Sequence, residues 1–79
     1  MNLYLLTQFD TSYSGSYEGI IVVAKSEQDA RMILPDVNLT WETTKNKWAT
    51  SPENVMVRCL GKARSDFEED SILLKSKYE

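Results

Sequence analysis

A run of apolar residues that leads directly into a helix start constrains this 79-residue chain more than any other feature. Residues 20–24 are continuously apolar and mostly β-branched, which is typical of a strand covered on both faces. Ser26 then predicts a helix N-cap, because its hydroxyl can accept the backbone N–H of Asp29. Pro35 disfavours helical geometry at Leu34, so the expected helix is about eight residues long. Isolated helices shorter than about 12–15 residues are marginal in water, so this helix must dock on a sheet.

Three further strands are expected. Residues 3–9 alternate along a first strand, residues 55–60 form an apolar run that ends at Gly61, and residues 71–78 form a last strand. Lys75 and Lys77 share a face of this last strand, as expected for a sheet edge protected from aggregation. The order β-β-α-β-β predicts an α+β fold, in which a four-stranded, mainly antiparallel sheet carries one short helix on one face. Residues 1–79 are expected to form a single domain.

An aromatic insert lies between the helix and the third main strand. It contains Trp41 and Trp48, and a short hairpin turning at residues 45–46 would pair the segments around the two rings. A helix of two turns cannot cover both sides of a four-stranded sheet. We expect the face that carries Tyr4 and Leu6 to lie opposite the helix, covered either by the insert or by a second copy of the chain.

The residue inventory argues against catalysis. The chain has no histidine, which excludes ordinary Ser–His and Cys–His nucleophile pairs and makes a zinc site rare. Cys59 is the single cysteine, so no internal disulfide can form, and its apolar strand predicts an inert core thiol. The acidic run at residues 66–70 is typical of a solvated loop, and no phosphate-binding motif follows Gly15 or Gly19. We therefore expect a protein that is not an enzyme and has no cofactor or metal.

Charge and hydropathy limit the classes of partner that we expect for this chain. The net charge of -3 and the pI of about 4.9 argue against general nucleic-acid binding, which requires a positive face. No segment approaches the roughly 20 apolar residues of a membrane span, and the N-terminus has no basic leader. The expected location is the cytoplasm, with the cysteine reduced.

Two segments are candidates for partner binding, and each has a purely structural alternative. The tryptophans either cover the sheet or anchor a partner protein. A loop in which two tyrosines flank Ser14-Gly15-Ser16 is either an adaptable binding surface or a mobile hairpin with its rings on the sheet. Two lysines of the insert either meet an acidic partner or form a solvated tip. The candidate residues are Trp41, Trp48, Tyr13, Tyr17, Lys45 and Lys47.

Several segments, taken in order, resemble a group of short phage and prophage proteins. The segments are residues 3–8 (LYLLTQ), 23–31 (VAKSEQDAR), 48–55 (WATSPENV) and 60–63 (LGKA), together with the tyrosine-rich loop. Leu34 stands where members of the group often carry a histidine, so no histidine role transfers. The resemblance implies expression in a bacterial host cytoplasm, during infection or from a prophage. It supplies a context and no mechanism.

Three hypotheses follow. The first is a non-enzymatic phage accessory protein that binds a host or phage protein, with host defence components among the targets. The second is an oligomeric protein that binds a nucleotide-like signal, with aromatic rings stacking the base and Arg31, Arg58 or Lys45 meeting phosphate. The third is a self-assembling structural protein that forms a homodimer through the sheet face not covered by the helix.

Overall fold

The computed structural model describes residues 1–79. Its elements are β1 (Asn2–Thr7), β2 (Tyr17–Ala24), α1 (Glu27–Arg31), a 3₁₀ turn η1 (Pro52–Asn54), β3 (Met56–Lys62) and β4 (Ile72–Lys77). The four strands form one antiparallel sheet in the order β3-β1-β2-β4. The predicted α+β fold and the β-β-α-β-β order are confirmed. The hairpin β1–β2 is the centre of the sheet, and the two later strands add to its edges.

The register of the central hairpin decides which residues share a face. Leu6 pairs with Ile20 and Tyr4 pairs with Val22, and residues directly opposite each other on paired strands point to the same side. All four side chains are buried. They form the floor of the hydrophobic core, whereas the residues between them, such as Ile21, point to the other side of the sheet.

The helix begins where the sequence predicts and ends earlier. The backbone N–H of Asp29 donates to Ser26 Oγ over 3.1 Å, which is the expected N-cap contact. The helix closes at Met32, and Ile33 and Leu34 leave it to pack against the core cluster. Tertiary packing of these two side chains therefore takes the place of the rest of the expected second helical turn. Arg31 fastens the helix to the sheet, because its Nη1 donates to the backbone carbonyl of Val55.

The insert is not a hairpin. Residues 36–51 form successive turns without any strand, and the backbone N–H groups of Lys47 and Trp48 both donate to the carbonyl oxygen of Thr44, over 2.8 and 2.9 Å. Asn46 adopts a positive φ of 63°, a conformation that asparagine tolerates better than most residues. The turns bring Trp48 over the sheet, where it is the largest fully buried side chain.

The helix and the insert lie on the same face of the sheet. Ala30 of α1 and Trp48 of the insert both belong to the core cluster that contains Tyr4 and Leu6. The expectation that the Tyr4 and Leu6 face lies opposite the helix is therefore wrong. A five-residue helix fills only part of this face, and the indole ring of the insert fills the space beside it. The other face, which carries Leu5, is covered by neither α1 nor the insert, although Val23 at one end of it is fully buried outside the core cluster.

Cys59 is exposed, which corrects the prediction of a core thiol. It lies on β3, which pairs only with β1 and so forms one edge of the sheet. Six of the seven residues of β3 are exposed, and only Val57 is partly buried. An apolar sequence run indicates a strand, but an edge position leaves most of its side chains near water.

Candidate functional site

A buried glutamine organises the loop that follows β1. Gln8 is 1 % exposed, and its amide group makes three hydrogen bonds to the loop backbone. Nε2 donates to the carbonyl oxygens of Thr11, over 2.8 Å, and Tyr17, over 2.9 Å, while Oε1 accepts the Thr11 N–H over 2.9 Å. Sequence reasoning missed this role. The available signal was a polar residue at the position that continues the core-facing alternation of Tyr4 and Leu6.

The tyrosine loop, defined as residues 9–16, is tied down at its tip. The backbone N–H and the hydroxyl of Ser16 donate to the carbonyl oxygen of Tyr13, over 2.9 and 2.6 Å. Gly15 has a φ of 87°, which suits glycine, and its N–H donates to the carbonyl oxygen of Tyr78 over 2.9 Å. Tyr78 N–H in turn donates to the carbonyl oxygen of Ser16 over 2.9 Å. The loop therefore presents Tyr13, 65 % exposed, from an anchored turn.

Tyr17 is part of the scaffold and not of the surface. Its ring is buried in the core cluster, and its hydroxyl donates to Asp36 Oδ2 over 3.3 Å. The ammonium groups of Lys75 and Lys77 lie 5.8 and 4.9 Å from its ring centroid, within the range of cation–π attraction. These lysines share a face of the edge strand β4, as their spacing predicts. A partner cannot reach the Tyr17 ring without displacing them.

The tyrosine loop, the insert and the end of β4 meet at one place. Tyr17 N–H donates to the carbonyl oxygen of Lys47 over 2.8 Å, which joins the start of β2 to the insert. Beside this contact lies a depression of about 210 Å³, called here the lysine pocket. The residues that line it are Gly15, Tyr17, Asp36, Asn38, Leu39, Lys47 and Lys77.

The lysine pocket carries two cations and one anion. The backbone N–H of Asn38 donates to Asp36 Oδ1 over 2.9 Å and lowers the pKa of this carboxyl below its ordinary value; the Tyr17 hydroxyl and the charges of Lys75 and Lys77 act in the same direction. Asp36 is therefore ionised at neutral pH. Lys47 and Lys77 together outnumber the charge of Asp36, so the pocket is positively charged in a protein whose net charge is -3.

The remaining predicted residues are divided between core and surface. Trp48 is fully buried and its indole N–H has no hydrogen-bond partner in the protein, so it has no surface for a partner to contact. Trp41 is partly buried and packs against the core cluster. Lys45 is exposed but lies outside the lysine pocket. Of the candidate residues, Lys47 is thus the exposed one that lines the pocket with Lys77, and Tyr13 is exposed on the tyrosine loop outside the pocket lining.

The opposite side of the sheet is a second, apolar surface. The open sheet face, defined as the side on which Leu3, Leu5, Ile21, Met56 and Leu74 lie, is not covered by α1 or by the insert. A shallow groove of about 240 Å³ runs along it above Gly19. The two surfaces differ in chemistry as well as in position.

The fold and these two surfaces define a small α+β domain that presents a basic pocket on one side and a bare sheet on the other. No group of three or more histidine, cysteine or acidic side chains is arranged to hold a metal ion. None of the helices has the length and apolar character that crossing a membrane requires. No family model, no curated protein and no solved structure matches this chain.

Proposed function

We propose that this protein is a small phage-encoded accessory protein that acts without catalysis, by binding an acidic segment of a host protein at the lysine pocket. Host defence components are among the targets that fit this role. The phage context rests on the resemblance of the ordered sequence segments. The binding surface rests on one observation, which is that Lys47 of the insert, Lys77 of β4 and Gly15 of the tyrosine loop line one pocket. Tyr13 is exposed on the same loop, outside the lining of the pocket.

The chemistry of this surface supports a protein partner. An exposed tyrosine offers a large, rigid contact area at low cost in conformational entropy, and the lysines of the pocket attract carboxylates. The backbone contacts of Gly15 and Ser16 with Tyr78 hold the tyrosine loop in place before a partner arrives. A surface that is already ordered loses less entropy when it binds.

A nucleotide-like signal is the second candidate, and the same two lysines favour it. The volume of about 210 Å³ is below the roughly 300 Å³ at which small-molecule pockets begin. The Tyr17 ring is occupied by Lys75 and Lys77, and the Arg31 guanidinium is engaged with backbone carbonyls of Pro52 and Val55. Fewer groups are therefore free to stack a base and hold its phosphates than the sequence indicates.

Affinity capture with matched charge reversals tests the proposal. Immobilised wild-type protein, Lys47→Glu, Tyr13→Ala and the control Lys62→Glu would be incubated with bacterial host lysate. Lys62 is exposed at the end of β3, outside the lysine pocket. Its reversal changes the net charge of the protein by the same amount as Lys47→Glu. We expect a protein that is recovered by wild type and by Lys62→Glu and that is lost with Lys47→Glu and reduced with Tyr13→Ala.

The recovered protein would then be purified and titrated directly. Its affinity should fall as salt concentration rises, because screening weakens contacts between exposed charges. Equal recovery by all four baits would contradict the proposal. A thermal shift with cyclic or linear nucleotides that disappears in Lys47→Glu, together with no captured protein, would replace it with the second candidate.

A further inference from the structure

The open sheet face is mainly apolar and carries one cation and one anion, with Thr7 and Ser76 as neutral polar residues beside Gly19. Leu74 is 60 % exposed and Met56 is 49 % exposed, on opposite edge strands, and Leu5 and Ile21 lie partly buried between them. A small domain without a disulfide or metal commonly gains stability by self-association. An uncovered sheet face with side chains of this kind is a surface where such association occurs.

The cation is Arg58 and the anion is Glu18. Arg58 is paired with Leu5 across β3 and β1, so it points to the open sheet face. Glu18 sits at an irregularity of β2 beside Gly19, lines the groove, and its Oε1 accepts a hydrogen bond from Ser76 Oγ over 3.4 Å. Neither residue forms an ion pair within the chain.

The two charges lie on opposite sides of the midline between β1 and β2. Arg58 is on β3, on one side of this line, and Glu18 is on β2, on the other side. A second copy can be placed over this face by a two-fold axis that is parallel to the strands, lies above the midline and sits halfway between the two sheets. This rotation of 180° places β3 of the second copy over the half of the face formed by β2 and β4. Each arginine then lies over the half that carries the other copy's glutamate.

We propose that the open sheet face binds a second copy of this chain in this two-fold arrangement, with Arg58 of each copy paired to Glu18 of the other. Aligned packing of two sheets about 10 Å apart gives this geometry. From strand and sheet spacings, the two Cα atoms of such a pair are separated by about 5 Å across the strands, about 7–10 Å along them and about 10 Å between the sheets, or about 13–15 Å in all. Extended arginine and glutamate side chains cover that separation.

The groove above Gly19 fits the same arrangement. A Cβ atom at Gly19 would come within 3.3 Å of Thr7 Cγ2 and 3.2 Å of the Leu6 carbonyl oxygen, so a side chain at this position would be crowded by β1. The two-fold axis places β1 of the second copy above it. Glycine inside a strand often marks the close approach of another chain. Because the axis runs along the strands, Thr7 of the second copy would lie above Gly19, and Leu5 of the second copy would lie above Ile21.

The size of the face sets the strength of the association. Four strands about 4.8 Å apart and about 20 Å long give a contact of roughly 400 Å² per copy, or about 800 Å² in all. Stable interfaces bury about 1,200–2,000 Å². The dimer should therefore be weak, with a dissociation constant on the order of tens to hundreds of micromolar, and its population should depend on protein concentration.

Sedimentation equilibrium of the full chain tests the proposal. The mass should rise from 9.1 kDa at low concentration toward twice that value at high concentration. Arg58→Glu alone and Glu18→Arg alone should each raise the dissociation constant at least about tenfold, since each puts like charges at both contacts. The control Lys62→Glu makes the same charge change on β3, but at the end of the strand, level with Asn2. It should leave the dissociation constant unchanged.

An equimolar mixture of the two single variants is the decisive sample. In the mixed dimer both contacts join opposite charges again, so association should return to within about threefold of wild type. Circular dichroism of each variant would show that the fold is retained. A wild-type chain that stays monomeric at millimolar concentration overturns the proposal. Self-association that is unaffected by either reversal, or a mixture that does not recover, overturns it as well. Because Lys47 and Tyr13 are not on the open sheet face, failure here leaves the proposed partner binding untouched.

Discussion

Asp10 Oδ2 accepts both the backbone N–H and the hydroxyl hydrogen of Thr50, over 2.8 and 2.9 Å, across 40 residues of sequence. The side-chain amide of Asn54 donates to the same oxygen over 3.0 Å. One carboxylate thus joins the loop after β1 to the segment that leads into β3. Because the insert has no strand of its own, contacts of this kind hold it in place.

Replacing Asp10 should loosen this connection. Asp10→Ala removes an acceptor shared by three donors, and because the site is exposed we expect a loss of about 1 kcal/mol in the free energy of unfolding. Urea denaturation at pH 7 measures it. The matched control is Glu42→Ala. Glu42 is an exposed acidic residue of the insert that forms no ion pair within the chain, so its replacement should change stability by less than about 0.5 kcal/mol.

The Asp10 contribution should also depend on pH. The Thr50 backbone N–H, followed by the Asn54 amide, lowers the pKa of Asp10 below its ordinary value of 3.8. A carboxyl with a lowered pKa in the folded state adds stability above the unfolded-state pKa and loses it as pH falls through the folded-state value. The stability difference between wild type and Asp10→Asn should therefore be largest above pH 5 and shrink below about pH 4. A constant difference between pH 6 and pH 2.5 would contradict this.

Gln8→Leu should destabilise the protein by about 3 kcal/mol. The substitution keeps the volume but leaves the Thr11 N–H and the carbonyl oxygens of Thr11 and Tyr17 without their side-chain partner in a buried site. Hydrogen exchange of the Thr11 amide should accelerate more than that of the β1 amides. Gln28→Leu, at an exposed position of α1, serves as the control. An equal effect of both substitutions would show that Gln8 does not organise the loop.

Trp48 should tolerate phenylalanine better than alanine. Trp48→Ala opens a cavity in the core and should cost about 3–5 kcal/mol. Trp48→Phe keeps a ring and removes an indole N–H that has no partner, so its cost should be about 1–2 kcal/mol. Thermal or urea unfolding distinguishes the two. Trp41→Phe, at a partly buried ring, should cost less than Trp48→Ala, and a reversed order would mean that the two rings exchange roles.

Cys59 should react in the folded protein. Its side chain is exposed on β3, so an alkylating reagent should modify one thiol per chain under native conditions, without prior unfolding. Circular dichroism should be unchanged after modification, and Cys59→Ser should abolish labelling while leaving stability within about 0.5 kcal/mol. Labelling that requires denaturant would restore the expectation of a buried thiol.

The strands and the helix start were predictable because their signals are local. Alternation at residues 3–9 and the Ser26 cap depend on chemistry within a few residues of each other. Lys75 and Lys77 also indicated an edge strand by their spacing alone, and β4 is an edge of the sheet. The helix end was less predictable, because Ile33 and Leu34 leave the helix for contacts with distant residues.

The insert and the binding surface were predictable only in part. Residues 36–54 have no period, so the local sequence does not indicate which indole is buried. Lys47 was identified by residue type, but Lys77 lines the same pocket only because the end of β4 meets the tyrosine loop. Gln8 was overlooked because a lone polar residue in a strand has no distinctive pattern until its backbone partners are known.

The sequence alone determined that this chain forms an α+β domain with a doubly apolar central strand and a capped helix too short to stand alone. It also left the chain without histidine or a second cysteine, which excludes Ser–His and Cys–His nucleophile pairs and an internal disulfide. Only the tertiary structure decided which face of the sheet is covered. Because Leu6 pairs with Ile20, these two side chains lie on the same face of the sheet as the helix. The turns of the insert place Trp48 on that same face. Strand register and ring placement depend on contacts between residues far apart in the chain, and no local pattern encodes them.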